Sequence, residues 1–395
     1  MAQTHLGVPE STLNIVQDRR VRDVSRRIAY LDPDVAPLLQ VTSRAKNRAA
    51  TNTKFEWIEK ELADRWSAIN DATPPNATDT TITVDNGSIF NAGDLVKVPR
   101  TGEVFRVVSI STNDLTVVRA VDGDGTTGVQ TADDDDLLIL GNAFREGSLS
   151  AVEKSHPETY LYNYTQILKK SFGVTGSEMA SENYTGPDRP RLRAEKAIEH
   201  KIDMERTALF GERAIFSTGD SDATTNNPRR YTGGFFYYVT TNATNANGIL
   251  TEPELESFCQ TLFQHTASGD ARFFMCSPLL ISVLDQLAAA RIQVAPREST
   301  FGLAVKTWVT GHGTLNIVKN RLLEGGPTSG QGWGGHGVAV DLNKVWYRPL
   351  RGRDTKLETS IQAPDLDGEK DQYKTEMGWQ IESEKVHGFI YGVTG

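Results

Sequence analysis

The chain has 395 residues, of which 38% are hydrophobic and 34 are glycine, and this composition excludes a wholly disordered protein. Its 51 acidic and 42 basic side chains give a formal net charge of −9, which excludes a dedicated nucleic-acid binder with a broad basic surface. Two cysteines, Cys259 and Cys276, are too few for a disulfide framework. Neither a secretory signal nor an apolar run of about 18 residues is visible, so we expect a protein that is made in a cytoplasm and crosses no membrane.

Residues 1–50 carry an excess of basic side chains on a helical pattern. Val21, Val24 and Ile28 form the apolar stripe of that pattern, and arginines surround it: Arg19, Arg20, Arg22, Arg26 and Arg27. Such charge runs are usually solvated helix faces. The alternative is an arm that faces a polyanion, and the residues alone leave both interpretations open.

Residues 74–140 are predicted to form a separate, strongly acidic β-domain. The segment has four basic and eleven acidic residues, including the run Asp133 to Asp136. Turn clusters separate most of its short β-type runs, and this spacing is typical of a small all-β sandwich or barrel. The predicted strands are Thr80–Val84, Leu95–Val98, Val104–Ile110, Leu115–Val118 and Leu137–Leu140.

The segment from Asp188 to about Phe216 is predicted to form the longest helix. Asp188 is a suitable N-cap, and Pro190 fits the first turn. About 25 residues span roughly 37 Å at 1.5 Å per residue. The apolar side chains keep to one narrow stripe, so we expect a helix that lies across a sheet.

A mixed unit follows over residues 231–345. Thr251 and Glu254 have the spacing of a capping box, which predicts a helix that ends at Gly269. The run Phe273–Cys276 predicts a strand, and a Ser-Pro pair then begins a second helix. The remaining tail is predicted to form mainly strands. Because helices and strands alternate only partly, an α+β fold is favoured over a doubly wound sheet.

No catalytic motif is present in the sequence. The two G-x-G-x-x-G matches, at Gly123 and Gly330, lie in a β-rich segment and before a strand, so neither opens a helix as a dinucleotide site requires. A P-loop, an H-E-x-x-H motif and a G-x-S-x-G elbow are all missing. The seven histidines do not fall at paired ligand spacing. We therefore predict a protein that is not an enzyme and that uses no cofactor or metal.

Several long segments resemble one known family. These are VRDVSRRIAYLDPDVAPLLQ, KNRAATNTKFEWIEKEL, GNAFREGSLSAVEKSHPETYLYNYTQILKKSFGVTG, PRLRAEKAIEHKIDMERTALFGE, FFMCSPLLISVLDQL, TLNIVKNRLL and VWYRPLRGRD. In this order they resemble the major capsid (major head) proteins of tailed phages with the Hong-Kong-97-type fold, in particular members with an extra β-domain in the extended loop. The resemblance implies an N-terminal arm (1–50), extended-loop limbs (51–73 and 141–172), an inserted β-domain (74–140), a peripheral domain with a spine helix (173–230), an axial domain (231–345) and peripheral return strands (346–395).

The resemblance implies a structural protein that self-assembles into the icosahedral head enclosing double-stranded DNA of a tailed bacteriophage. An encapsulin-like shell that encloses cargo enzymes is the alternative. The implied partners are other copies of the chain in hexamers and pentamers, a portal, possible scaffolding or decoration proteins, and packaged DNA contacted without sequence specificity. The implied location is the virion, after synthesis in the bacterial cytoplasm. Since packaged DNA is a polyanion, the basic arm is expected to face the lumen and the acidic insert to face outward.

The extended loop is expected to carry the contacts between subunits, because an isolated two-stranded ribbon is marginally stable in water. Its aromatic side chains are expected to dock on the spine helix of the next subunit, as tryptophan and tyrosine anchors commonly do. The alternative is that they pack within their own subunit. The candidate anchors are Phe55, Trp57, Trp66, Tyr160, Tyr162 and Tyr164, and the candidate receiving residues are Arg191, Glu195 and Glu199.

Overall fold

The computed structural model describes residues 36–45, 47–121, 123, 128–155, 157–183, 186–216, 228–265, 269, 271–288, 298–300, 303–325 and 332–394. The five arginines of the predicted arm lie outside these residues: Arg19, Arg20, Arg22, Arg26 and Arg27. The chain divides into two compact units. The barrel unit is Ile58–Tyr160, and the large unit comprises Met1–Trp57 and Leu161–Gly395.

Helices and strands both contribute substantially, which confirms the predicted α+β class. The α-helices are α1 Pro37–Ala45, α2 Gly176–Ala180, α3 Asp188–Phe210, α4 Phe235–Tyr238, α5 Glu252–Phe263 and α6 Pro278–Ala288. The strands of the first half are β1 Lys54–Glu59, β2 Trp66–Ala68, β3 Thr81–Thr83, β4 Asp94–Lys97, β5 Val104–Ser111, β6 Asp114–Val118, β7 Asp136–Asn142, β8 Thr159–Tyr164, β9 Gln166–Thr175 and β10 Ala214–Phe216. Those of the second half are β11 Arg229–Tyr231, β12 Ala243–Gly248, β13 Ala271–Cys276, β14 Glu298–Thr300, β15 Leu303–Val309, β16 Thr314–Lys319, β17 Gly337–Val340, β18 Val345–Pro349, β19 Lys356–Glu358, β20 Gly368–Ile381 and β21 Gly388–Val393.

The barrel unit contains a six-stranded antiparallel sheet in the order β2-β7-β4-β5-β6-β3. A bridge between Ile69 and Val84, just past the two edge strands, joins these edges and closes the sheet into a barrel. All five runs that the sequence predicted as strands are confirmed, as β3 to β7. The sheet also includes β2, which lies outside the predicted range 74–140. Its interior is apolar and fully buried, with Ile82, Phe90 and Phe105 among its members.

A buried ion pair lies within the barrel unit. Arg119 donates from Nε and Nη2 to the carboxylate of Glu103 at 2.7 Å each, and both side chains are almost fully buried. The backbone N–H groups of Ala120 and Val129 also donate to Glu103. Such a pair tolerates burial because its remaining hydrogen-bonding positions are satisfied.

The large unit contains a sheet in which β20 is central. β9 pairs along one edge of β20, and β18 and β19 pair along the other, all antiparallel. Helix α3 packs on this sheet, as predicted. The helix ends at Phe210, six residues earlier than predicted. Gly211 follows it at a point where a Cβ would lie 2.4 Å from the carbonyl oxygen of Thr232, so the position requires glycine. The N-cap position is occupied by Pro187, so the prediction of Asp188 as the cap was wrong by one residue.

A seven-stranded mixed sheet forms the second part of the large unit, in the order β12-β21-β17-β13-β16-β15-β14. The predicted strand before Ser277 is confirmed as β13, and the hydroxyl of Ser277 accepts the N–H of Leu280 at 3.1 Å at the start of α6. The capping box of Thr251 and Glu254 is present at the start of α5. That helix ends at Phe263, so the predicted end at Gly269 was wrong.

Candidate assembly interface

The base of the predicted extended loop is a two-stranded ribbon of β1 and β8. Two of its aromatic side chains, Phe55 and Trp57, are only 5% and 6% exposed. They pack against Ala50, Leu161 and Tyr238 of the same chain. Their rings are 6.3 Å apart, and Trp57 lies 5.7 Å from the ring of Tyr238. For these two residues the structure therefore shows the intramolecular packing that the sequence left open as the alternative.

Tyr162 and Tyr164 of β8 are half-buried and also contact their own chain. Their rings meet edge to face at 5.7 Å. The guanidinium of Arg213 lies 4.0 Å from the ring of Tyr162 and donates to the Tyr162 carbonyl at 3.0 Å. The hydroxyl of Tyr238 donates to the same carbonyl at 2.6 Å. These contacts hold the base of the ribbon onto the large unit.

Trp66 and Tyr160 are the two predicted anchors that remain exposed, at 54% and 65%. Both lie in the barrel unit, where Trp66 is directly opposite Leu138 on β7. Other large apolar side chains of the same unit are exposed as well, namely Ile58, Leu62, Leu140, Phe144, Leu149 and Val152. A contiguous apolar patch is typical of a surface that another molecule covers, and these side chains are the candidates for such a patch in this unit.

The three predicted receiving residues of α3 already have partners within the chain. Arg191 pairs with Asp188 at 2.8 Å and with Glu195 at 3.6 Å, one helical turn away. Glu199 accepts from Lys196 at 2.6 Å, and this hydrogen bond lowers the pKa of the carboxyl. Half-buried pairs of this kind organise the surface of the helix. Phe55 and Trp57 pack against Tyr238 and its neighbours, so within this chain they do not contact the charged residues of α3.

Residues of α3 that sequence reasoning did not single out fix the helix to the sheet. Arg189 and Arg193 both donate to the buried carboxylate of Asp371 on β20, at 2.8 to 3.0 Å. The Ser360 N–H donates to the same group at 2.9 Å. Principally the hydrogen bonds from Arg189 hold the pKa of Asp371 well below its usual range. The apolar stripe of α3 predicted a helix across a sheet but did not indicate this partner, which is 178 residues from Arg193 in sequence.

Residues 7–394 match the family model described as the SU10 major capsid protein. The chain belongs to this family. It is also 23% identical to the major capsid protein of Pseudomonas phage PaMx41 over 366 residues, which cover 90% of this chain and 84% of that protein. As a major capsid protein the chain is structural and not an enzyme, as predicted.

The solved structures similar to this major capsid protein include a chain of Gordonia phage Cozz, 10% identical, with full coverage of both chains and a TM-score of 0.49. They also include the SrpI encapsulin complex of Synechococcus elongatus PCC 7942, 12% identical, which covers 60% of this chain and 78% of that chain with a TM-score of 0.42.

The described residues contain no cluster of three or more histidine, cysteine or carboxylate side chains that could hold a metal. No helix within the described ranges is long and apolar enough to cross a membrane. Both cysteines of the capsid protein are buried and unpaired, and burial raises the pKa of Cys259 to about 12. Such a thiol is unreactive.

Proposed function

We propose that this major capsid protein self-assembles into an icosahedral, Hong-Kong-97-type head that encloses the double-stranded DNA of a tailed bacteriophage. The observation that carries the proposal is the exposed apolar surface of the barrel unit, which a free monomer would leave in water. A second copy that covers it gains apolar burial of about 25 cal/mol per Å². Closed symmetry then limits which surfaces of the copies can meet.

In this proposal the regions of the chain have distinct roles. Residues 1–50 form an arm whose arginines face the DNA, and residues 51–73 and 141–172 form the limbs of the extended loop. Residues 74–140 form a β-domain on the outer surface. Residues 173–230 and 346–395 form the peripheral domain, and residues 231–345 the axial domain. The buried ribbon base in the large unit supports an extended loop that is anchored at its base, and the exposed apolar residues of the barrel unit support contacts with another copy.

Trp66 and Tyr160 are the proposed anchors between subunits, because they combine large apolar area with exposure in this chain. The proposed partners are further copies in hexamers and pentamers, a portal, and possible scaffolding or decoration proteins. The proposed location is the virion, after synthesis in the host cytoplasm.

The experiment is expression of the full chain followed by negative-stain electron microscopy and analysis of the particle contents. We expect closed shells of uniform size, and particles from infected cells that protect double-stranded DNA from nuclease. Monomers or open sheets at all protein concentrations would contradict the self-assembly. Shells that carry a co-purifying enzyme and no DNA would instead favour the encapsulin-like compartment.

A further inference from the structure

Lysines from three adjacent strands of the β20 sheet lie in one row. Lys374 of β20 is directly opposite Lys356 of β19 on one side and Lys169 of β9 on the other. Directly opposite residues in antiparallel strands project from the same face with Cβ atoms about 4.5–5.5 Å apart. Lys370, four residues before Lys374 on the same strand, projects from that face as well. We call these four side chains the lysine row.

The lysine row lies on the face of the sheet that α3 leaves open. Asp371, Tyr373 and Thr375 alternate with the lysines along β20, and all three meet α3: Asp371 through Arg189 and Arg193, and the other two through His200. The lysine row therefore projects away from the helix. Lys169, Lys356 and Lys370 are exposed.

The row has little countercharge of its own. Glu358 accepts from Gln372 and from Lys374, the latter at 3.3 Å, and these bonds, with a smaller contribution from the charge of Lys169, lower the pKa of Glu358. Lys356 donates to the carbonyl of Gly352 at 2.9 Å rather than to an acid. In the described part of the chain no ion pair joins Lys169, Lys356 or Lys370 to a carboxylate. Like charges directly opposite on neighbouring strands are destabilising, so this arrangement is costly unless an acidic surface covers it.

The chain itself carries such a surface at one end of the barrel. The Asp71 N–H donates to the Asp133 carboxylate at 3.0 Å. Ala68 lies opposite Asp136 on the neighbouring strand, and its carbonyl oxygen accepts the N–H of Asp85 at 3.0 Å. These contacts bring together the backbones of four acidic residues, Asp71, Asp85, Asp133 and Asp136, and Asp134 lies within the same turn. We call them the acidic rim. Asp135 is excluded, because it is buried and paired with Arg100, which corrects the expectation that the whole run is surface charge.

We propose that the lysine row of one copy binds the acidic rim of a second copy. The inference rests on the proposed self-assembly and names one of its contacts. Each copy has one row and one rim, so the contact is head-to-tail. In a closed ring the row of every subunit can therefore bind the rim of the next subunit. Duplex DNA is the less favoured occupant, because the row is short and the chain as a whole carries −9.

The test compares charge reversals in the full chain. Lys169→Glu with Lys374→Glu reverses two charges of the row, and Asp85→Lys with Asp136→Lys reverses two charges of the rim. The protein concentration at which half the chains enter shells is measured by light scattering at low and high salt. We expect each reversal to raise that concentration about tenfold or more at low salt and much less at 1 M salt, where the Debye length falls to about 3 Å. A mixture of the two reversed proteins should co-assemble at a lower concentration than either alone.

Matched variants separate charge from folding. Lys169→Arg with Lys374→Arg keeps the charge and should assemble like the unmodified chain, as should Lys319→Glu, an exposed strand lysine outside the row. Circular dichroism and thermal melting check that the monomers are folded. Lys169→Glu alone, which leaves the pair of Lys374 and Glu358 in place, covers the case in which the double variant misfolds.

Two results would overturn the proposal. The first is unchanged assembly of the row variant, and loss of duplex-DNA binding by that variant in fluorescence anisotropy would then assign the row to DNA. The second is recovery in a chain with both reversals but not in the mixture, which would place the contact within one chain. Failure of the unmodified chain to form shells would instead contradict the proposed function itself.

Discussion

The carboxylate of Glu205, on helix α3, accepts the backbone N–H of Leu39 at 2.7 Å. It also accepts the N–H of Leu38 at 3.0 Å and the side-chain amide of Asn320 at 3.2 Å. The donors from Leu38 and Leu39 belong to the first turn of α1, where backbone N–H groups have no partner within the helix. A fully buried acid on one helix thus caps another that is more than 160 residues away in sequence.

Glu205→Gln is expected to destabilise the large unit and to change its pH dependence. Burial raises the pKa of Glu205 to about 7, above its ordinary 4.5. The folded state therefore favours the protonated acid, and this group's contribution to stability is present below pH 4.5 and is lost as the pH rises toward 7. The loss is at most about 3 kcal/mol at 1.36 kcal/mol per pKa unit. In the glutamine variant this decrease in stability with rising pH should disappear.

The measurement is urea unfolding of both proteins at pH 5 and pH 7.5. The change in the free energy of unfolding between the two pH values is then compared between the proteins. Since the amide nitrogen of glutamine cannot accept an N–H, whereas both oxygens of Glu205 accept one, we also expect about 1–3 kcal/mol lower stability at pH 5. An equal pH dependence in the two proteins would show that Glu205 is not the titrating group.

Asp371→Asn is expected to loosen the attachment of α3 to β20. The variant removes the charge shared by Arg189 and Arg193, and because both arginines keep access to water we expect a cost of only about 1–2 kcal/mol near pH 7. The pKa of Asp371 is depressed, so its contribution is present above the unfolded pKa and is lost as the pH falls below about 4. The difference between the proteins should therefore shrink at pH 2.5. Asp365→Asn, on an exposed turn, is the control, and an equal loss there would contradict the assignment.

The elements predicted most accurately from sequence are those specified by short-range chemistry. The capping box of Thr251 and Glu254 and the turn-bounded strands of the barrel depend on neighbours a few residues apart, and the structure contains them. Glu205 and Asp371 were missed because their partners are brought close only by the tertiary fold. A carboxylate with several buried donors looks, in sequence, like any charged residue on a helix or strand.

The burial of Phe55 and Trp57 could not be decided from sequence for a related reason. Alternation along a strand shows that the two side chains share one face of β1, but not what covers that face. The covering residue is Tyr238, which lies in α4. The lysine row was likewise invisible, because it depends on the register of β9, β19 and β20, which no local pattern specifies.

Arg119→Met is expected to unfold the barrel unit locally by leaving Glu103 buried without its partner. Removing one member of a buried ion pair typically costs about 3–5 kcal/mol. Hydrogen exchange should show faster exchange in β3 to β7, with β20 unchanged. The double variant Arg119→Met with Glu103→Gln should recover part of the loss, since no buried charge remains. Arg106→Met, on the neighbouring strand β5, is the control. Equal exchange rates in the Arg119→Met and unmodified proteins would contradict the role of the pair.

Trp57→Ala and Trp66→Ala both remove a tryptophan from the predicted extended loop, but we expect the first to lower monomer stability and the second to weaken assembly. Trp57 is buried against Phe55 and Tyr238, so its loss should cost the monomer about 3–5 kcal/mol by cavity formation. Trp66 is 54% exposed, so its loss should leave monomer stability within about 1 kcal/mol.

The second half of this comparison is assembly. If Trp66 is covered by a second copy, its removal should raise the concentration needed for shell formation by about tenfold or more, because a buried tryptophan anchor is worth at least about 2 kcal/mol. Monomer stability is measured by urea unfolding and assembly by light scattering on the same preparations. Val108→Ala, at an exposed apolar position on β5 of the same sheet, is the matched control for general loss of apolar surface. Unchanged assembly of Trp66→Ala would exclude this side chain as an anchor, and an unchanged Trp57→Ala monomer would contradict the packing of the ribbon base.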